Sequence, residues 1–299
     1  MRHFLAGLVA LTMLMADRAS AQNPLLDRLA QEGAALGDGD VVKLLPPVMA
    51  DGLAAAEQQQ VLAKAAGNVS VQALLERNLN APFVLKIERL KLPSGRQTGR
   101  SVDLMFVAHG SLQTIVNREL IGQLLSSDEG KNKQGTPSEA RELTAEELAK
   151  RNIELQPGNE KLEEGYSIVD FPLLEKVQIS GVGYGATAKT DESVTVAAVL
   201  DQRFANDPEF PNRWRPIFQS ELGRIRLGDP SPYSGFAGYT KVTQLQEPAS
   251  AVFIESHVVF DEPQGWFQGA NYLGSKLPLV ARNSVTSFRR KLNAAEGKQ

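Results

Sequence analysis

Beyond residue 21 the chain offers little of the equipment that catalysis needs. It holds His109 and His257 and no cysteine. A chain without thiols has no disulfide, no thiolate nucleophile and no thiolate metal ligand. The histidines stand at no ligand spacing and no His-Glu-x-x-His occurs, so no metal and no cofactor are expected. Neither Gly-x-Ser-x-Gly nor Ser-x-x-Lys is present, which leaves nucleophilic hydrolysis without a local signature. The acidic pairs Glu163-Glu164 and Asp261-Glu262 are adjacent in sequence. Neighbours on a strand point apart, so neither pair forms an acid/base couple. One constellation remains. Residues 251–260 alternate as a strand, with Phe253, Glu255 and His257 on one face and Val252, Ile254, Ser256 and Val258 on the other. His257 with Glu255 or Asp261 would make a polar pocket able to move protons.

Gly181-Val-Gly-Tyr-Gly185 lacks the Lys-Ser/Thr of a phosphate loop and opens no helix. Alternate glycines on one face of a strand let it bend, or let another group approach closely. Phe210, Trp214, Phe218, Trp266, Phe267 and Tyr272 gather in two irregular stretches around the last strand pair. Such rings cover the open end of a core or line the mouth of an apolar cavity.

The elements that must position these residues read as follows. Leu25, Leu26, Leu29 and Leu36 share a face of a first helix, and residues 53–66 form a second, so 22–80 is a helical N-terminal part. Residues 83–92 and 101–108 read as a hairpin, followed by helical spacing over 112–125. Residues 126–165 read as a polar loop insertion containing a short helix, with Thr144 and Glu147 as its capping box. Long strands are expected over 173–188 and 193–204, an irregular run over 205–234, and a hairpin over 236–245 and 251–260. A final helix is expected from about Leu277 to Ala294. Its apolar stripe is Leu277, Val280, Phe288 and Leu292, Pro278 falls in the first turn, and Arg289 and Arg290 lie off the stripe. No regular βαβ alternation occurs, so the fold class is α+β: a curved antiparallel sheet packed around a long C-terminal helix, with N-terminal helices.

The whole chain has 299 residues, 42% apolar and 22% charged, with a net charge of −3. That is the composition of a globular protein with a sizeable core. Arg2, the apolar run Phe4–Ala16 and the small residues Ala19-Ser20-Ala21 together read as a secretory signal peptide, residues 1–21. The remaining residues, 22–299, read as a single α+β domain. Removing Arg2, Asp17 and Arg18 lowers Lys+Arg from 32 to 30 and Asp+Glu from 35 to 34, a net of −4. A mildly acidic surface gives nucleic acid no electrostatic footing. No later run approaches the ~18 apolar residues of a membrane span, so no transmembrane segment is expected in the mature chain. The expected location is periplasmic or extracellular, and without a cysteine to acylate the protein is not a lipoprotein.

Residues 256–292 read SHVVFDEPQGWFQGANYLGSKLPLVARNSVTSFRRKL. A last strand, an acidic-Pro turn, Gly-Trp, then a long amphipathic helix ending Arg-Arg-Lys-Leu resembles the C-terminus of the START-type helix-grip lipid-binding superfamily. The resemblance implies a sheet wrapped around the C-terminal helix, with a lipid or other apolar small molecule held between them and no catalytic residues carried over. Val177, Ile179, Phe253, Trp266, Leu277, Val280 and Phe288 are then the candidate cavity walls, and Glu255 and His257 the candidate polar anchors. Two alternatives stand beside this reading: an enzyme using Glu255 and His257 in the same cavity, and a cell-envelope interaction module docking through the 126–165 region.

Overall fold

The computed structural model describes residues 23–37, 39–96, 99–116, 139–155, 158–159, 161–219, 224–267 and 271–297. The expected signal segment 1–21, residues 117–125 of the helix expected over 112–125, and residues 126–138, 156–157 and 160 of the polar insertion lie outside the described residues.

The first helix, α1 (Pro24–Gln31), is set by Asn23. Its Oδ1 accepts from Leu26 N, while its Nδ2 donates to the carbonyls of Ala186 and Thr195 in the sheet. The cap thus also fixes where the helix docks. The helix ends before Gly33, whose φ of +89° suits glycine. Leu36 therefore falls not on this helix, as its spacing suggests, but on a small hairpin, β1 (Ala34–Leu36) with β2 (Asp40–Val42). It is still fully buried beside Leu25 and Leu29. Two more helices follow, α2 (Ala55–Ala66) and α3 (Val71–Leu74).

The sheet is antiparallel and has eleven strands among the described residues. β3 (Val84–Leu90) and β4 (Gly99–His109) form the expected hairpin. After α4 (Leu112–Val116) come β5 (Glu139–Glu142) and α5 (Ala145–Ala149), the latter closed by the expected Thr144–Glu147 capping box. Then follow β6 (Leu162–Leu173), β7 (Val177–Lys189) and β8 (Ser193–Leu200). The stretch read as a polar insertion therefore carries the edge strand β5, which pairs with residues 167–170 of β6, and the first residues of β6, which pair with β7. The proline-rich run 205–234 is also more regular than its composition suggests. It holds β9 (Arg213–Gln219), β10 (Ile225–Leu227) and β11 (Ser231–Pro232), with β10 and β11 paired, among the described residues, only to β9. Prolines are admitted there because these strands lie at the rim of the sheet. β12 (Phe236–Gln244) and β13 (Ala251–Asp261) complete it.

From one end the order is β3-β4-β13-β12-β8-β7-β6-β5. On the β8 side of β7, residues 177–180 pair instead with β9. Alternation along these strands creates two apolar faces. The outer face, with Ala197, Ala237, Phe253 and Val259, is covered by residues 25–75. The inner face, with Val102, Phe106, Ile179, Val196, Ile254 and Phe260, is covered by α4 and the long helix α6 (Tyr272–Glu296).

α6 begins five residues earlier than its apolar spacing implies, because Asn271 Oδ1 accepts from Gly274 N and caps the first turn. Pro278 consequently sits inside the helix, where it supplies no N–H to the carbonyl one turn back. The buried stripe is Leu273, Leu277, Val280, Ala281, Val285 and Leu292. Phe288 is half-buried, edge-on to Phe106 at 5.7 Å. Arg289, placed off the stripe by its charge, is in fact buried. Its Nε donates to Val107 O at 2.9 Å, Nη1 to Ala81 O at 2.5 Å and Leu79 O at 3.4 Å, and Nη2 to Pro82 O at 3.2 Å. Three adjacent side chains therefore predict three outcomes in urea unfolding. Phe288→Ala should cost about 2 kcal/mol, less than a full core truncation because the ring is half-exposed. Arg289→Leu should cost about 3 kcal/mol, since it strips buried carbonyls of their donors. Arg290→Ala, on an exposed residue, should cost under ~0.5 kcal/mol. Equal losses at 289 and 290 would contradict the packing.

Candidate functional site

The space between the inner face and α6 gathers six of the seven expected wall residues. Val177, Ile179, Trp266, Leu277 and Val280 are buried in one continuous apolar cluster, and Phe288 packs against it. Phe253 does not belong there. It lies on the outer face against Met49, Leu62 and Leu74. The reason is strand parity: Val252, Ile254 and Val258 point toward α6, so the odd-numbered neighbours between them must point away.

The same parity relocates the expected polar anchors. Glu255 and His257 face the N-terminal layer, not the helix, so they share no space with the wall residues. Glu255 is 2% exposed. It holds the 44–51 segment onto the sheet, with Val48 N donating to Oε2 at 2.7 Å and Met49 N to Oε1 at 3.1 Å. Across the strand pair, Lys241 Nζ donates to Met49 O and pairs with Asp51, both at 2.7 Å. His257 Nδ1 is bonded to Asp103 on the neighbouring strand β4. Asp261 is buried as well, at the end of the same strand. This is a polar seam between two layers, and it fastens residues 44–51. Among the described residues no group of three or more His, Asp or Glu side chains could hold a metal ion.

The middle of the inner face is built from small residues. Register pairs Gly165 with Gly185, Gly185 with Ala198 and Ala198 with Gly238, a row of small residues across β6, β7, β8 and β12 that ends against Val258 of β13. Ser167 pairs with Gly183 beside it. Spacing in β7 shows the alternating glycines, but the row becomes legible only once the register is known. At one end of the Gly181–Gly185 stretch the glycine serves the protein itself. A Cβ on Gly181 would stand 2.6 Å from Asn212 Oδ1, which accepts from Val182 N.

The rim of the inner face nearest the start of α6 is aromatic. Trp266 stacks on Phe260, lies tilted against Tyr233, and meets Trp214 and Phe267 edge-on. Phe267 in turn stacks on Tyr272. Tyr233, buried and placed by β11, donates to Asp261 O at 3.3 Å. Nothing in its local sequence marked Tyr233 for this cluster.

A long C-terminal helix laid on an antiparallel sheet, with an apolar interior between them and N-terminal helices behind, defines a helix-grip protein. No family model matches the chain, and no curated protein matches it. Among solved structures it is similar to the human StarD13 (DLC2) lipid transfer and protein localization domain, over 82% of this chain and 98% of that one, at 7% identity and a TM-score of 0.40. It is also similar to human STARD10, over 86% of each chain at 10% identity and a TM-score of 0.30. An uncharacterized protein from Rhizobium leguminosarum is matched over 70% of this chain and 99% of its own, at 10% identity and a TM-score of 0.30. The assignment of fold rests on the registers and packing described above. Among the described residues no helix is long and apolar enough to cross a membrane.

Burial pushes the Glu255 carboxyl up to about 7, against the opposing pull of the Val48 and Met49 N–H groups and of Lys241. Between its ordinary value of 4.5 and about 7 the folded chain keeps a proton that the unfolded chain releases. Its contribution to stability therefore falls as pH rises through that window and is level above it. Urea unfolding from pH 4.5 to 7 should show wild type losing about 3 kcal/mol more than Glu255→Gln. Parallel profiles would mean that Glu255 titrates normally.

Proposed function

We propose that this protein holds a lipid or other apolar small molecule between the inner face of the sheet and α6, and that it does so by binding, without catalysis. The observation that carries this reading is the row of small residues across β6, β7, β8 and β12. A sheet face covered by a helix is ordinarily filled by branched and aromatic side chains, because interiors pack to crystal density. Here the centre of the face supplies hydrogen atoms and methyl groups, while Val177, Ile179, Leu277 and Val280 supply apolar walls. Such a surface suits a ligand body with few polar groups. Glu255 and His257, the side chains best suited to proton transfer, are engaged on the other face. The solved StarD13 domain is described as a lipid transfer domain, which agrees with this chemistry.

We also place the protein outside the cytoplasm, periplasmic or secreted. Arg2, the apolar run Phe4–Ala16 and Ala19-Ser20-Ala21 support that reading. One preparation tests both statements. Native mass spectrometry of the protein isolated from its own source should show a polypeptide beginning at Gln22 that carries an apolar molecule released on denaturation. A bare polypeptide that also takes up nothing from mixed-lipid vesicles would defeat the binding reading. A chain that retains residues 1–21 would defeat the exported location.

A further inference from the structure

Trp266 carries a polar atom that no described residue uses. The residue is 4% exposed, and its Nε1 has no hydrogen-bond partner among the described residues. The indole N–H is a donor only, and leaving it buried without an acceptor costs about 1–3 kcal/mol. Buried polar groups are so generally paired that each exception calls for a cause. Phe260, Trp214 and Phe267 bring ring faces and edges. Tyr233, 5.4 Å away between ring centroids, gives its hydroxyl proton to Asp261 O, and its oxygen takes no bond from Nε1. A buried water is held by roughly two to four polar partners, and among these rings Tyr233 offers the one hydroxyl. An acceptor carried by a mostly apolar molecule fits this setting. An ionised oxygen is excluded by cost, since one N–H among aromatic rings does not repay the desolvation of a carboxylate.

We propose that Trp266 Nε1 is the polar anchor of the inner-face site, donating to a neutral oxygen of the bound molecule: the hydroxyl, ether, ester or ketone oxygen of an otherwise apolar ligand. Trp214, Tyr233 and Phe260 then pack the carbon next to that oxygen, and the remaining apolar body runs toward the row of small residues. This rests on the binding function proposed above and adds to it the chemical class of the ligand and the end of the site at which its oxygen lies.

The variant Trp266→Phe keeps an aromatic ring and removes the donor. Delipidated wild-type and variant protein are titrated with two radiolabelled series delivered from cyclodextrin, the straight-chain alcohols from decan-1-ol to octadecan-1-ol and the alkanes of equal length. The best-bound alcohol should lose about tenfold in affinity in the variant, the value of one buried hydrogen bond. The best-bound alkane should stay within about twofold, which also shows that the variant is folded and its site intact. Unchanged alcohol binding, or an equal loss in both series, would overturn the anchor while leaving the binding function standing. Failure of the wild type to retain either series would take down the binding function and the anchor with it.

Discussion

Everything on the inner side of the sheet depends on the burial of one stripe of α6. A helix of 25 residues is not held by its own hydrogen bonds in water; it persists because Leu273, Leu277, Val280, Val285 and Leu292 are removed from solvent. The sheet depends on the helix in equal measure, since Val102, Phe106, Ile254 and Phe260 would otherwise face water. Arg289 fixes the register between the two. Its guanidinium reaches past the apolar stripe to carbonyls of β4 and of residues 79–82. Burial lowers its pKa to about 10, still well above neutrality, so the charge persists and is compensated by carbonyl dipoles. Sliding the helix by a turn would break that fan, and so the arginine converts a permissive apolar contact into a specific one.

The two faces of the sheet have been given different tasks by the alternation of a single strand. β13 contributes Val252, Ile254, Val258 and Phe260 to the helix side and Phe253, Glu255, His257 and Val259 to the other. The outer side is finished by the chain itself. α1 is pinned through Asn23, the 44–51 segment through Glu255 and Lys241, and α2 and α3 through Met49, Leu62 and Leu74. That layer is stapled to the sheet by buried polar groups. The inner face is joined to α6 chiefly by apolar contact, with Arg289 and Glu296 as its polar ties among the described residues.

Much of this was legible because strong local signals agreed with the tertiary outcome. Alternation in 83–108 and 236–260 gave the hairpins, Thr144 and Glu147 marked a helix start, and the spacing of Leu277, Val280 and Leu292 marked the gripping face. The errors have two origins, local backbone geometry that residue type does not show and partners that lie far away in sequence. Leu36 looks helical until Gly33 turns the chain. Phe253 looks like a cavity wall because it is apolar, although the parity of its own strand sends it outward. Arg289 looks like a solvent-facing charge because its acceptors are backbone carbonyls some 180 to 210 positions earlier, and carbonyls carry no sequence signature. The row from Gly165 to Gly238 is spread over four strands and exists only through register.

The ties that hold α6 are also unevenly placed along it. Its side-chain hydrogen bonds to β4, to the 79–82 segment and to the start of α4 come from the last two turns, through Arg289 and through Glu296, which accepts from Ser111 N at 2.7 Å. The first turns are different. Pro278 removes one bond of the helix ladder, and Leu273, Leu277 and Val280 attach this end by apolar contact. Apolar contact is nondirectional and tolerates a changed neighbour, whereas a fan of hydrogen bonds fixes position. The aromatic rim around Trp266 lies against that first half, beside Phe267 and Tyr272. The helix thus presents its adaptable half to the part of the interior where the Trp266 N–H has no partner among the described residues, and keeps its rigid half at the opposite end, where Arg289 donates to carbonyls of the chain itself.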